Sequence, residues 1–238
     1  MGTLSVVDLG SSEMKLAACI DSSSASSCSF CTAAGGCNDY SEQNLLGVAL
    51  DGTGKVLVVD NSRFGIFSCQ VSSLSTIASC AYTIGQDVGF QYVEDTFSGT
   101  SNFATAGSWN DDPPLSAGFI SPWGLAFDAA LSTPALFVSD GNAIRRVDFD
   151  YATASTPTNV VTLAGDNTKT LPGKGSLAWP QHWVSPGPNQ LMQPAAAFVN
   201  GVGSASSFDK PNVLVAVHAT RIVYIADRDN HAIRSMTY

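Results

Sequence analysis

The amino-acid sequence predicts an all-β fold that is assembled from repeated four-stranded antiparallel sheets. Three observations lead to this prediction: short apolar runs with period-2 alternation, turn residues between the runs, and a strand phrase ending on aspartate that recurs along the chain. The recurring phrase is closed in turn by Asp8, Asp60, Asp140 and Asp227. Internal self-similarity of this kind is typical of folds whose units pack against one another and are not stable alone.

Around each aspartate, a β-branched strand leads through a polar turn into a second strand. The four phrases are LSVVDLGSSEMKLAAC from Leu4, VLVVDNSRFGIFSC from Val56, LFVSDGNAIRRVDF from Leu136 and VYIADRDNHAIRSM from Val223. A further strand precedes three of them, in LLGVALD, PWGLAFD and PNVLVAV, and a strand ending on glycine follows three, in FCTAAGG, SCAYTIG and NVVTLAG. This order predicts the four-stranded blades of a β-propeller.

The final phrase, from GVGSASSFDKP to VYIADRDNHAIR, resembles the NHL repeat, a β-propeller family named for an Asn-His-Leu-type turn. Asn230 and His231 match the first two residues of that turn, and Arg234 completes the Ile-Arg pair after it. The resemblance implies about four recognisable repeat copies of a propeller with about six blades. We place the copies at residues 1–37, 44–86, 120–166 and 208–238.

The first copy lacks its innermost strand and the last copy lacks its outermost strand, so we expect the chain to be a segment of a longer polypeptide. The start, MGTLSVVDLG, has no signal-peptide pattern. Within each copy, the aspartate is expected to accept hydrogen bonds from the N–H groups of its turn. Gly47 and Gly124 are expected to permit close backbone approach, and Arg145, Arg146 and Arg234 to bridge to a neighbouring blade.

Two connections are too long for compact blades of about 40–50 residues, which predicts inserts at residues 88–119 and 167–200. Long loops on a rigid scaffold often carry binding residues. Trp179, His182 and Trp183 lie close together in the second insert and make it a candidate contact loop. The alternative is a loop that packs these aromatic residues against the side of the propeller.

The six cysteines predict disulfide bonds in an oxidising compartment, and therefore an extracellular or cell-surface protein. Free thiols and a zinc site are the alternatives. Positions on neighbouring strands favour the pairs Cys69–Cys80 and Cys19–Cys28, with Cys31 as the alternative partner of Cys19. Cys31–Cys37 is the remaining pair. Serine- and threonine-rich runs at residues 21–29 and 150–158 are candidate acceptors of O-linked glycans.

Composition excludes some classes of partner. The net charge is −9 and the chain has 11 Lys and Arg, which argues against nucleic-acid binding. No apolar run reaches the roughly 18 residues of a membrane helix, so we predict no transmembrane segment. The histidines, His182, His218 and His231, lie in unrelated contexts, and no hydrolase, metalloprotease or nucleotide-binding motif occurs. We therefore predict no catalytic residue and no metal ligand.

Two oxygen-rich segments, residues 110–112 (NDD) and 227–230 (DRDN), make calcium the cofactor to consider, although neither has EF-hand spacing. No other cofactor is expected. The leading hypothesis is a non-enzymatic extracellular propeller that serves protein–protein interaction or self-assembly, for example of a surface filament or matrix. The alternative, drawn from related propellers, is a metal-dependent lyase- or lactonase-like enzyme.

Overall fold

The computed structural model describes residues 2–8, 13–20, 45–51, 53–61, 64–73, 76–85, 110–150, 156–165 and 198–238. These residues form antiparallel sheets and two short 3-10 helices, at Gly203–Ala205 and His218–Thr220. The first sheet consists of β1 (Gly2–Asp8) and β2 (Glu13–Ile20). The described residues include no helix with the length and apolarity that crossing a membrane requires.

The second and third sheets are four-stranded meanders in which each strand pairs with the next one along the chain. The second sheet contains β3 (Leu45–Leu50), β4 (Lys55–Asp60), β5 (Gly65–Ser73) and β6 (Thr76–Ile84). The third contains β7 (Pro122–Asp128), β8 (Ala135–Asp140), β9 (Ala143–Asp150) and β10 (Thr156–Gly165). The fourth sheet contains β11 (Pro211–Val217), β12 (Ile222–Asp227) and β13 (Ala232–Thr237).

Strand register shows that the second, third and fourth sheets are structural repeats. The strand-closing aspartate always lies opposite the first residue of the next strand, in the pairs Asp60–Gly65, Asp140–Ala143 and Asp227–Ala232. In each of these three sheets, the second residue of that next strand is an isoleucine, namely Ile66, Ile144 and Ile233. These alignments define equivalent positions that can be compared from one sheet to the next.

The apolar core lies between the sheets. One cluster joins the second sheet to the third and includes Leu57, Val59, Ile66, Leu125, Leu136 and Val138. Another joins the third sheet to the fourth and includes Phe137, Ile144, Leu214, Val223 and Ile225. The third sheet is therefore covered on both faces, and β8 is buried along its whole length. A strand covered on both faces reads as a continuous apolar run, which explains the sequence ALFVSD.

The innermost strands β3, β7 and β11 lie side by side, each against the next. A β-carbon on Gly47 would lie 2.3 Å from the carbonyl oxygen of Trp123, and one on Gly124 would lie 1.9 Å from that of Asn212. The Ser139 hydroxyl accepts the Gly124 N–H at 2.8 Å and donates to the Asn212 carbonyl at 3.2 Å. Glycine at these two positions therefore sets the distance between neighbouring sheets.

The structure confirms an all-β fold built from antiparallel four-stranded sheets, as the second and third sheets show. The expectation that Gly47 and Gly124 permit close backbone approach is also confirmed. The predicted middle strands of the last copy are β12 and β13, and the predicted inner strand is β11. The segment at residues 30–36, predicted as the outer strand of the first copy, lies outside the described residues.

We expect Gly124→Ala to lower the free energy of unfolding by about 3 kcal/mol, because the added methyl group would overlap the backbone of β11. Gly54→Ala is the matched control. Gly54 has a φ of +89°, but a β-carbon at this position would have no atom within 4 Å, so only backbone strain of about 1 kcal/mol is expected. Urea unfolding followed by circular dichroism measures both, and equal losses would contradict the close-approach role of Gly124.

Candidate interaction site

A buried ion pair closes the third sheet. Asp140 and Arg145 are fully buried, and Arg145 Nη1 lies 3.3 Å from Asp140 Oδ2. The guanidinium also donates to the carbonyl oxygens of Gly118 and Asn110 and to Asp111 Oδ1 at 3.1 Å. Its carbon lies 4.5 Å above the centre of the Phe119 ring. Arginine suits this position because its planar fork can satisfy several acceptors at once.

The fourth sheet repeats this arrangement residue for residue. Arg234 Nη1 lies 3.1 Å from Asp227 Oδ2 and donates to the Ser207 carbonyl. Arg234 Nη2 donates to the Val199 carbonyl at 2.8 Å and to Asn200 Oδ1 at 2.9 Å. The Phe208 ring stands 4.4 Å below the guanidinium, as Phe119 does below Arg145. Segments 110–119 and 199–208 are thus equivalent connections, each held to its own sheet by one arginine.

The second sheet lacks this clamp. Phe67 occupies the position of Arg145 and Arg234, and it is buried in an apolar cluster with Val58 and Cys69. Asp60 is buried at the end of β4 as its equivalents are. The repeat therefore tolerates either a charged or an apolar residue at this position, provided that the side chain fills the space beside the third strand.

Two expected roles need correction. The arginines were expected to bridge to a neighbouring blade, but Arg145 and Arg234 bind the connection that enters their own sheet, while Arg146 pairs with Asp148 on the same strand at 2.8 Å. The aspartates were expected to hold the turns that follow them. Instead, Asp140 Oδ1 accepts the N–H groups of Ile120 at 2.9 Å and Ser121 at 2.7 Å, which precede the sheet.

Asp227 behaves in the same way, since its Oδ1 accepts the Asp209 N–H at 2.8 Å. Its other oxygen accepts the Nδ2 amide of Asn230 at 2.9 Å, so one contact to the following turn is present. His231 has a φ of 51° and donates its N–H to the Arg228 carbonyl at 3.0 Å. Asn230 and His231 are therefore turn residues, as the resemblance implies, and Asp8 closes β1.

Asparagines in the turns after β4 and β8 link each sheet to the next. Asn61 Nδ2 donates to the Pro122 carbonyl at 2.9 Å and to Ser121 Oγ at 3.1 Å. Asn142 Oδ1 accepts the Lys210 N–H at 3.1 Å. Neighbouring sheets are therefore joined by these hydrogen bonds as well as by the apolar core and the closely packed inner strands.

A polar cluster that the sequence did not reveal joins the third and fourth sheets. Asp128 is buried at the end of β7, and its Oδ2 accepts the Tyr238 hydroxyl at 2.6 Å and lies 3.0 Å from His218 Nδ1. Its Oδ1 accepts the Ala130 N–H at 3.0 Å. No spacing rule connects residues so far apart in the chain, although each of the three stands at the end of a strand or immediately after it.

The cluster shifts the pKa values of Asp128 and Tyr238. Burial acts to raise the pKa of Asp128, but the hydrogen bonds from Tyr238, His218 and the Ala130 N–H outweigh it, and the pKa falls below its usual value. Burial and the hydrogen bond to the Asp128 carboxylate raise the pKa of Tyr238 to about 12. At Asp140, by contrast, burial raises the pKa, and Arg145 and the two N–H groups oppose the rise.

The oxygen-rich segments considered for calcium are occupied by contacts within the protein. Asn110 Oδ1 accepts the Gly118 N–H at 2.7 Å, and Asp111 holds Arg145 and Thr162. Asp229 pairs with Lys210 at 2.6 Å and with Arg228 at 2.8 Å. Within the described ranges, no group of three or more His, Cys, Asp or Glu side chains is placed to hold a metal ion.

The fourth sheet has an exposed apolar face, which we define by Val213, Val215, Tyr224 and Ile233. Tyr224 is 43% exposed and Ile233 is 75% exposed, whereas the equivalent Phe137 and Ile144 of the third sheet are 0% exposed. The register places three rows of three residues on this face, and none is charged: Val213, Ala226 and Ile233; Val215, Tyr224 and Ser235; Val217, Ile222 and Thr237.

The remaining predicted residues are only partly described. Cys69 on β5 is disulfide-bonded, and Cys80 on β6 lies directly opposite it in the register. Cys69–Cys80 remains the predicted pair. The Cys19 side chain and the residues Cys28, Cys31 and Cys37 lie outside the description. So do the residues of the candidate contact loop, Trp179, His182 and Trp183.

No family model and no curated protein sequence matches the chain. Solved structures do. An auxiliary nutrient binding protein from Bacteroides ovatus ATCC 8483 matches with a TM-score of 0.53 and 17% identity over 83% of this chain and 38% of its own. One from Bacteroides thetaiotaomicron VPI-5482 matches with a TM-score of 0.55 and 14% identity over 98% of this chain and 42% of its own.

A third structure, proposed to be a phosphatase of Bacteroides thetaiotaomicron VPI-5482, matches with a TM-score of 0.51 and 14% identity over 84% of this chain and 35% of its own. The chain spans less than half the length of each of these structures. Similarity at this level of identity concerns the β-rich fold alone.

Replacing Arg145 with methionine should lower the free energy of unfolding by about 3–5 kcal/mol, because Asp140 would stay buried without its cationic partner. Arg146→Met is the matched control, since Arg146 lies on the same strand in a partly exposed pair with Asp148. Its removal should cost less than about 1 kcal/mol. Chemical unfolding compares the two variants, and similar losses would contradict the structural role of the Asp140–Arg145 pair.

We expect the wild-type chain to contain a tyrosine that ionises with a pKa of about 12, and Tyr238→Phe to remove it. Because this pKa lies above the ordinary value of 10.0, the cluster's contribution to stability is fully present below pH 10 and is lost as the pH rises towards 12. Absorbance at tyrosinate wavelengths measures the titration. Tyr224→Phe is the control and should leave the titration with a pKa of about 12 in place. If this titration persisted in Tyr238→Phe, its assignment to Tyr238 would be contradicted.

Proposed function

We propose that this chain is part of an extracellular NHL-like β-propeller that acts without catalysis, by protein–protein interaction and self-assembly. The repeated sheets that pack side by side support the propeller as the architecture. The disulfide at Cys69 supports an oxidising compartment. In the described residues, the buried Asp140 and Asp227 bind an arginine and backbone N–H groups that hold the entering connection to its own sheet.

The exposed apolar face of the fourth sheet carries the proposal. Equivalent residues of the second and third sheets are buried against the sheet that follows, as Ile66 and Ile144 show. An exposed sheet face of this composition marks a surface that another protein covers. It carries no charge, so two copies of a chain with a net charge of −9 can meet there without bringing like charges into contact.

Val213 supports a second copy of the chain as the partner that covers this face. It occupies the position of Gly47 and Gly124, where the backbone of the next inner strand leaves no room for a β-carbon. A following sheet at the same spacing would collide with the Val213 side chain, which is 58% exposed. Two apolar faces related by a twofold axis can instead pack as in a β-sandwich, about 10 Å apart.

We expect the chain to form dimers whose population rises with concentration, and the double substitution of Tyr224→Ser with Ile233→Ser to weaken dimerisation by about tenfold or more. Truncating these side chains removes apolar area that contributes about 1.5–3 kcal/mol per buried residue. Sedimentation velocity at moderate salt measures the effect, because salt screens the repulsion between acidic copies.

Val202→Ser is the matched control. Val202 is an exposed valine that lies in the connection before the fourth sheet, outside the apolar face, so its loss should leave dimerisation unchanged. A wild-type chain that stays monomeric across the concentration range would contradict self-assembly through this face. A double variant that dimerises as the wild type does would contradict it as well.

A further inference from the structure

The connection that enters the fourth sheet contains the one Asn-Gly pair of the sequence, Asn200 followed by Gly201. Both residues are exposed. In such a pair, the backbone nitrogen of the glycine can attack the side-chain amide carbon of the asparagine, because glycine has no side chain to obstruct the approach. The attack is intramolecular and closes a small ring, which makes it far faster than attack by a separate molecule. The pair therefore marks Asn200 as a candidate for deamidation.

The packing of the connection requires glycine at position 201. A β-carbon on Gly201 would lie 2.7 Å from the carbonyl oxygen of Ala205 and 2.9 Å from the backbone nitrogen of Ser206. Real β-carbons do not approach backbone atoms so closely, so a larger residue would force the connection to change shape. A side chain that would slow the attack on Asn200 is thus excluded by the fold of this segment.

Arg234 holds the Asn200 amide in one orientation. Its Nη2 donates to Asn200 Oδ1 at 2.9 Å, and the atom that faces it must be the oxygen because a guanidinium has no acceptor. Negative charge develops on this oxygen when a nucleophile attacks the amide carbon, and a donor already in contact stabilises that charge. Arg234 is itself fixed by Asp227 at 3.1 Å, so the donor is in place before the reaction begins.

The third sheet shows what the reaction product would resemble. Asp111 is the residue equivalent to Asn200, and its Oδ1 forms an ion pair with Arg145 Nη2 at 3.1 Å. Deamidation replaces the neutral carboxamide of Asn200 with a carboxylate, so the hydrogen bond from Arg234 becomes an ion pair of the same kind. The net charge of the chain, −9, becomes one unit more negative.

We propose that Asn200 is a site of spontaneous deamidation, assisted by Arg234, and that its aspartate product forms an ion pair with Arg234. The Gly201 nitrogen loses its proton to solvent and bonds to Asn200 Cγ, and the Cγ–Nδ2 bond breaks to release ammonia, which takes its proton from solvent. Water then adds to the succinimide, and opening of either ring C–N bond gives aspartate or isoaspartate. Asn200 lies outside the apolar face used in self-assembly, so this modification is independent of the proposed function.

The first test incubates the full chain and the peptide FVNGVGSAS, residues 198–206, at mildly alkaline pH and follows both by mass spectrometry. We expect Asn200 in the chain to exchange NH2 for OH at no less than about a third of the peptide's rate, because Arg234 offsets the lost freedom of the backbone. Asn159, which is exposed and precedes Val160, is the internal control and should keep its amide. A lower rate at Asn200, or equal rates at both asparagines, would overturn the site.

Added salt tests the part played by the arginine. Sodium chloride at about 1 M screens exposed charges beyond about 3 Å, so it should lower the rate in the chain by about twofold and leave the rate in the peptide unchanged. Equal effects of salt on the chain and the peptide would contradict assistance by Arg234.

The second test measures the product directly. Asn200→Asp should raise the equilibrium constant for folding by about two- to fivefold, as expected of an exposed ion pair, and about 1 M salt should abolish the gain. Asp111→Asn is the reciprocal control and should lower the constant by at least as much, because it removes the equivalent pair with Arg145. Urea unfolding compares the variants. No gain from Asn200→Asp, or a gain that salt leaves unchanged, would overturn the ion pair.

Discussion

The close approach of the inner strands is the constraint on which the rest of the structure depends. At positions 47 and 124, the inner strand of one sheet lies so close to the inner strand of the next that a β-carbon would overlap a backbone carbonyl oxygen. Only glycine fits at these two positions. That spacing brings the flanking apolar residues of adjacent sheets into one core. It also brings Asn61 and Asn142 within hydrogen-bond reach of the following connection. Packing between sheets and polar contacts between sheets thus have one geometric cause.

The buried arginines show how this fold accommodates charge. Arg145 and Arg234 each satisfy a buried aspartate, two backbone carbonyls and one polar side chain, with an aromatic ring beneath. Burying an ion pair repays its desolvation only when further hydrogen bonds satisfy the charged groups. Both guanidiniums bind several acceptors through their Nη atoms, although Arg145 Nε is buried without a hydrogen-bond partner among the described residues. Phe67 fills the same position in the second sheet. The space beside the third strand can therefore be filled either by an arginine paired with the buried aspartate or by an apolar side chain.

Much of this architecture could be predicted from the sequence, because strand alternation and the recurring aspartate are local signals. The glycines Gly47 and Gly124 were recognisable for the same reason. The targets of Arg145 and Arg234 were not, since they lie in connections whose sequences differ between repeats. The Asp128, His218 and Tyr238 cluster was also hidden, because its members come together only after two sheets have packed. The exposed apolar face could not be predicted either, because its residues have the same apolar character as equivalent residues that are buried in the other sheets.

The glycine of the inner strand has a counterpart in Val213. Glycine at this position lets the following sheet approach as closely as the third sheet approaches the second and the fourth approaches the third. A β-branched side chain at the same position requires a wider separation, so the volume of one residue acts as a spacer between neighbouring sheets.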